Sequence, residues 1–212
     1  MKYDLHSHTK YSHCSNTEPH LILKAAEKKL NGIAITDHNT IQGALHVKKL
    51  NKDKDFEVII GEEIKTDKGE ILAYYLNTEI KPDKFDIVMD KIKQQGAIAS
   101  VAHPFAILRL KSKLTLKDYQ KINAIETLNA RAFFKSENIK AKNLSLKLNL
   151  AQTAGSDSHH PLEIGRAYTI FENNLEKAIK TKTTKVEGTN KYSIFCKFLS
   201  LPPKINNLLK KI

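Results

Sequence analysis

Six short stretches of this 212-residue chain set histidines and carboxylates close together. They are His6-Ser7-His8, Asp37-His38, Glu62-Glu63, His103-Pro104, Glu126 through Arg131, and Ser156-Asp157-Ser158-His159. His6 and His8 lie two apart on what reads as extended backbone, so both imidazoles leave the same side and can grip one ion. Asp157 and His159 repeat that spacing. Imidazole nitrogens and carboxylate oxygens suit zinc, manganese or iron, and a structural zinc site would need clustered thiolates. The chain has only Cys14 and Cys196, far apart and outside any C-x-x-C pair, which argues against both such a site and a disulfide framework. Singly, each histidine or acid could be an ordinary core or surface residue. Jointly they point to a catalytic, multinuclear oxygen-and-nitrogen metal site.

For residues so distant in sequence to meet, the fold must gather them. Each stretch follows or ends a short apolar, β-branched run, and strands are expected at 2–5, 32–36, 56–60, 71–76, 97–102, 124–128, 151–154 and 167–171. Helical periodicity falls between them, at 19–30, 40–50, 84–95, 116–121, 136–148 and 175–182, with Thr17 and Thr115 as expected caps. Alternating βα units imply an α/β fold. In barrels and open α/β sheets the C-terminal strand ends converge on one rim, where several strands supply a single site.

The ordered set His6-Ser7-His8-Thr9, Ile35-Thr36-Asp37-His38-Asn39-Thr40, Gly61-Glu62-Glu63, Ala102-His103-Pro104, Glu126-Thr127-Leu128-Asn129-Ala130-Arg131 and Gly155-Ser156-Asp157-Ser158-His159, backed by Ile164-Gly165-Arg166-Ala167, resembles the PHP (polymerase and histidinol phosphatase) family. The likeness covers residues 1–172 and is strongest to the small stand-alone phosphoesterases. It implies a distorted (β/α)7 barrel with two or three divalent ions (Zn, Mn or Fe). One ion would be held by His6, His8, Glu63 and Asp157, a second by His103 with Glu63 shared, and a third by His38 and His159. Two positions depart from the family pattern. His13 and Cys14 stand where many members carry an aspartate, and Glu70 stands where many carry a histidine, so His13 and Glu70 are additional candidate ligands. The activity implied is hydrolysis of a phosphate ester by a metal-bridging hydroxide. Asp157 would orient that water or take its proton, and His159 would assist the leaving oxygen. Arg131, a planar five-donor cation, is the candidate phosphate grip, with Asn129 beside it.

Composition sets the outer bounds. A chain of this length builds one main core, here assigned to residues 1–182, followed by a basic extension over 183–212. Within the extension Ile205, Leu208, Leu209 and Ile212 fall on one face of a short helix, expected to dock on the barrel. No apolar run approaches the ~18 residues a membrane span requires, and the opening residues lack a signal region, so a cytoplasmic location is expected. The net charge is +12, and nine lysines face two glutamates between Asn173 and Ile212. Arg109, Lys111, Lys113, Arg131 and Lys135 lie in the loops at 105–115 and 130–137. An anionic substrate is expected, a phosphorylated small molecule or nucleotide. The alternative is a nuclease of 5′–3′ exonuclease type acting on DNA or RNA; a non-catalytic RNA-binding protein ranks third, because the ligand set is intact. Nothing in the sequence fixes the oligomeric state.

Overall fold

The computed structural model describes residues 1–107, 109 and 112–191. Among these, nine strands form one sheet: β1 Lys2–Asp4, β2 Gly32–Ile35, β3 Glu57–Thr66, β4 Gly69–Tyr74, β5 Ile98–Val101, β6 Ala124–Asn129, β7 Ala151–Gly155, β8 Ala167–Ile170 and β9 Lys185–Gly188. Their spatial order is β7-β6-β5-β4-β3-β2-β1-β8-β9. β1, β2 and β3 run parallel, as do β5, β6 and β7. Runs such as Gly32–Ile35 and Ile98–Val101 are buried throughout, as strands covered on both faces must be.

The chain just past β1 meets β7 and closes the series. Leu5 N–H donates to Ala154 O at 3.2 Å, and the contact continues past the strands, with Asp157 N–H on His6 O at 2.7 Å and His8 N–H on Ser158 O at 2.9 Å. The molecule is therefore a nearly closed, distorted α/β barrel, as expected, and its seam runs through two of the histidine motifs. Part of the distortion is local to β4, which is antiparallel to both β3 and β5. Only Asp67 and Lys68 separate β3 from β4, far too few residues for a crossover helix, so the chain must turn back. Gly69 takes a φ of +128° at this turn and its carbonyl accepts from Thr66 Oγ1 at 2.7 Å.

Helices α1 Pro19–Glu27, α2 Gln42–Leu50, α3 Phe85–Gln94, α4 Leu116–Tyr119, α5 Lys135–Leu148 and α6 Leu175–Thr181 cover the sheet. In α3, Phe85, Val88, Met89 and Ile92 follow helical spacing and share a core with Ile64, Ile71, Val101 and Ile125. Burying each such side chain contributes ~1.5–3 kcal/mol. Thr115 caps α4 in a reciprocal box with Asp118.

Several boundaries differ from expectation. β3 was expected to end at 60 and instead runs to Thr66, because β4 pairs with it residue by residue from Gly61 onward. Thr17 does not cap α1; its hydroxyl donates to His159 O at 2.8 Å, and the helix starts from Glu18 and Pro19 without a side-chain cap. β9 falls inside the segment assigned to the extension and pairs antiparallel with β8. The helix expected near 205–212 lies outside the described residues. No helix of the described residues is long and apolar enough to cross a membrane.

Candidate metal centre

The strand ends do bring the distant motifs together. Past β1, the side chains of His6 and His8 point into the barrel mouth, and both residues are fully buried. The end of β2 delivers His38, the middle of β3 Glu63, the end of β5 His103, and the turn after β7 Asp157 and His159. Asp157 adopts a φ of 54°, a left-handed conformation that Asp tolerates better than most residues. The strain is offset by its backbone bond to His6, which fixes the turn across the seam.

Three of the rings are held in orientation by a partner on Nδ1. His6 Nδ1 lies 2.9 Å from Glu126 Oε1, and His159 Nδ1 lies 2.9 Å from the carbonyl of Asp157. Both partners are acceptors, so each Nδ1 carries a hydrogen and each Nε2 is left to face the cluster. His8 Nδ1 meets Ser12 Oγ at 3.1 Å, and burial pushes the ring's pKa down to about 3, so it is neutral. Glu126 is fixed in turn: its Oε2 accepts His103 N–H at 2.8 Å and Asn129 Nδ2–H at 3.1 Å.

At the centre, His6 Nε2 and His8 Nε2 are 3.1 Å apart. Glu63 Oε2 lies 3.2 and 3.4 Å from them, and Asp157 Oδ1 lies 3.8 and 3.3 Å away. Asp157 Oδ1 is buried and accepts no hydrogen bond. Lone pairs and carboxylate charge this crowded repel one another unless a cation lies among them, so the donor set fits a divalent metal. Burial opposes charge on His6, yet Glu126, Glu63 and Asp157 raise its pKa well above the usual value, so these carboxylates draw positive charge to the ring and a metal ion at Nε2 would take the place of that proton. Burial likewise opposes charge on Glu63 and Asp157, but His6 and His38 hold Glu63, and Arg109 and His6 hold Asp157, well below the usual carboxylate range. Neighbouring donors extend the cluster. Glu63 Oε1 reaches His103 Nε2 at 3.0 Å, Glu63 Oε2 reaches His38 Nδ1 at 3.0 Å, and Glu70 joins His38 and Glu63 in a group with metal-binding spacing.

Not every residue singled out in the sequence enters this cluster. His13 is exposed, at a φ of 39°, and belongs to no grouping of metal-binding spacing among the described residues; the next residue, Cys14, turns in instead. Arg131 is buried against Glu163, Nη1 lying 3.1 Å from each carboxylate oxygen, and lines a small hollow with His103, Arg109 and Asn129. Asn129 Nδ2 donates to Asp157 Oδ2 at 3.1 Å, which steadies the acid. Asp37 touches the cluster through its backbone, its carbonyl accepting Glu63 N–H at 3.2 Å, while its carboxylate is held by Thr9. It accepts from Thr9 N–H and Oγ1–H, both at 2.6 Å, and Gly43 sits against it because a Cβ there would lie 1.9 Å from its Oδ2.

Two further residues, Glu126 and Arg109, border the cluster. Glu126 was visible as an acid in a strand, but its place behind His6 depends on the β6 register. Arg109 was visible as a loop cation; the structure places Nη2 2.7 Å from Asp157 Oδ2 and Nη1 2.9 Å from His103 Nε2.

The barrel agrees with what the chain resembles. The PHP domain family matches residues 4–142 and the PHP-associated family matches 135–181, so the chain belongs to the PHP family, whose members are metal-dependent phosphoesterases or hydrolases. The uncharacterized protein MJ0417 of Methanocaldococcus jannaschii is 36% identical over 186 residues, covering 84% of this chain and 73% of that protein. Among solved structures, a two-domain Bacteroides vulgatus protein containing a predicted PHP-like metal-dependent phosphoesterase superposes with a TM-score of 0.76 at 19% identity, covering 94% of this chain and 69% of the other. The lesion-specific endonuclease PfuEndoQ of Pyrococcus furiosus superposes with a TM-score of 0.59 at 18% identity, covering 87% of this chain and 57% of the other.

Proposed function

We propose that this protein is a metal-dependent phosphoesterase that hydrolyses a small-molecule or nucleotide phosphomonoester. The observation that carries the reading is the convergence of His6 Nε2, His8 Nε2, Glu63 Oε2 and Asp157 Oδ1 on one buried space. Divalent ions bound there would acidify water and polarise phosphoryl oxygens. His6, His8, Glu63 and Asp157 would hold one ion, His103 would extend the set from the Glu63 side, and His38 and His159 would hold the outer end, with Glu70 as an added ligand and His13 outside.

The chain's own groups then orient the reaction. Asp157 stays anionic at neutral pH, which suits holding the nucleophilic water or a ligand role better than taking a proton. His159 is kept neutral, first by burial and then by His8 beside it, so ligation suits it better than proton donation. Arg109, already reaching Asp157 and His103, meets an incoming phosphate first, and Arg131 with Asn129 lines the hollow next to it. The hollow beside His103, Asn129 and Arg131 is small, which favours a compact ester over a polymer.

A second reading, nuclease action, draws on the +12 charge and on the shared fold with PfuEndoQ. One panel separates the readings: manganese- or zinc-loaded protein assayed on phosphate monoesters, nucleotides and short oligonucleotides, beside His8→Ala and Asp157→Asn. Each substitution should lower kcat/KM by more than the ~10–100-fold typical of residues that merely support a ligand. Activity surviving both would overturn the metal-dependent reading. Cleavage of oligonucleotides alone, falling steeply with salt, would favour the nuclease. Binding of RNA with no hydrolysis of any ester would favour a decayed, non-catalytic barrel.

A further inference from the structure

We infer that Cys14 is a thiolate ligand at the His38–His159 end of the metal centre and that it biases this position toward zinc or iron(II) over manganese. The inference rests on reading the cluster as a metal site. Cys14 Sγ lies 3.2 Å from His159 Nε2. It also groups with ring nitrogens of His8 and His38, all within 4.8 Å of one another. Metal bonds of ~2.0–2.1 Å to imidazole and ~2.3 Å to thiolate place neighbouring donors roughly 3–3.6 Å apart, the separation found here.

The local chain is built to bring the sulfur inward. A single 3-10 turn, Lys10–Ser12, ends in His13 at a positive φ, which reverses the backbone and returns Cys14 to the mouth. Ser15 Oγ and Thr17 Oγ1 both donate to His159 O, at 3.2 and 2.8 Å, and hold this loop against the residue whose Nε2 faces the sulfur. A second observation points to a ligand independently. Asp157 Oδ1, buried and without a hydrogen bond, lies 3.3 Å from Nε2 of His8, the ring that also groups with Cys14 and His38.

Thiolate is a soft donor, so replacing a hard carboxylate by it favours zinc or iron(II) over manganese or magnesium. On binding, the Cys14 S–H bond breaks, its proton leaves to solvent and the sulfur lone pair forms the metal bond. Cys14 is exposed at the surface, so an ion or a reagent reaches it directly.

The test loads the full chain with cobalt(II) and reads metal stoichiometry by mass spectrometry and the near-ultraviolet thiolate-to-cobalt charge-transfer band. The band should appear in the native protein and in Cys196→Ser, and vanish in Cys14→Ser. In Cys14→Asp, the ratio of zinc to manganese affinity should fall at least tenfold. Should Cys14→Ser not fold, alkylation of the native protein by iodoacetamide serves instead: zinc should slow modification of Cys14 at least tenfold. Bound metal without the band, a band that depends on Cys196, or alkylation equally fast with and without zinc would overturn the role of Cys14 and leave the metal centre standing. No bound metal at all would overturn the metal centre itself.

Discussion

Glu126 and Glu62 are both buried carboxylates at the barrel, and they carry opposite consequences. Glu126 stands behind His6, its Oε1 fixing the ring so that Nε2 faces the cluster. Such partners typically account for ~10–100-fold in metal affinity. Glu126→Gln should therefore weaken metal binding by about that factor in competition titration while the fold persists; unchanged affinity would mean that the ring is positioned by packing alone. Glu62 faces away from its neighbour Glu63, since successive residues of a strand point to opposite faces. Its Oε2 accepts Ile80 N–H at 3.0 Å, its Oε1 has no partner, and burial pushes its pKa up to about 8. Between the ordinary glutamate value of 4.5 and about 8 the folded state keeps a proton that the unfolded chain has lost. Stability is therefore full at the low end of that window and falls as pH rises through it. Glu62→Gln should leave the melting temperature nearly unchanged near pH 4.5 and raise stability at pH 8 by up to ~4 kcal/mol in metal-free buffer. Parallel melting curves across this pH range would contradict the assignment. At this scale the sequence reveals residue types but not facing: the pair Glu62-Glu63, like His13-Cys14, leaves open which member turns inward, because one residue of register decides it.

The elements depend most on the β1–β7 seam, where the barrel closes and His6 meets Asp157. Gly155, the last residue of β7, lies so close to β1 that a Cβ would stand 2.3 Å from His6 Cβ and 2.5 Å from His6 N. Backbone cannot yield as a flexible side chain does, so Gly155→Ala should destabilise by ~1–3 kcal/mol or more and loosen metal binding together with the fold. Urea unfolding and metal titration of this variant check the claim, and native stability with native affinity would contradict it. Strands such as Gly32–Ile35 were legible because a buried parallel strand is apolar throughout. β9 was not, since Lys185-Val186-Glu187-Gly188 is an exposed edge with no apolar pattern to read. Extension of β3 beyond 60 was hidden for a related reason: Gly61-Glu62-Glu63 looks like a loop until β4 supplies its partner.

For the whole molecule, the most legible feature was the recurrence of ligand residues at the ends of apolar runs, because a barrel turns distant strand ends into neighbours. What stayed hidden were contacts that depend on loop conformation, Arg109 on Asp157 and Arg131 on Glu163, since side chains in the 105–115 and 130–137 loops have no periodicity to betray their direction. The net charge of +12 suits an anionic substrate without choosing among them, and steering by it should weaken with salt. The central claim is that residues from five strands, four at their ends and β3 in its middle, cage divalent cations. The most direct measurement is an anomalous difference map from crystals of the zinc- or manganese-loaded protein, collected at the metal edge. The account predicts a peak ~2.0–2.2 Å from His6 Nε2, His8 Nε2 and Asp157 Oδ1, with Glu63 also bound. A featureless map, with those four side chains keeping only their contacts to one another, would contradict it.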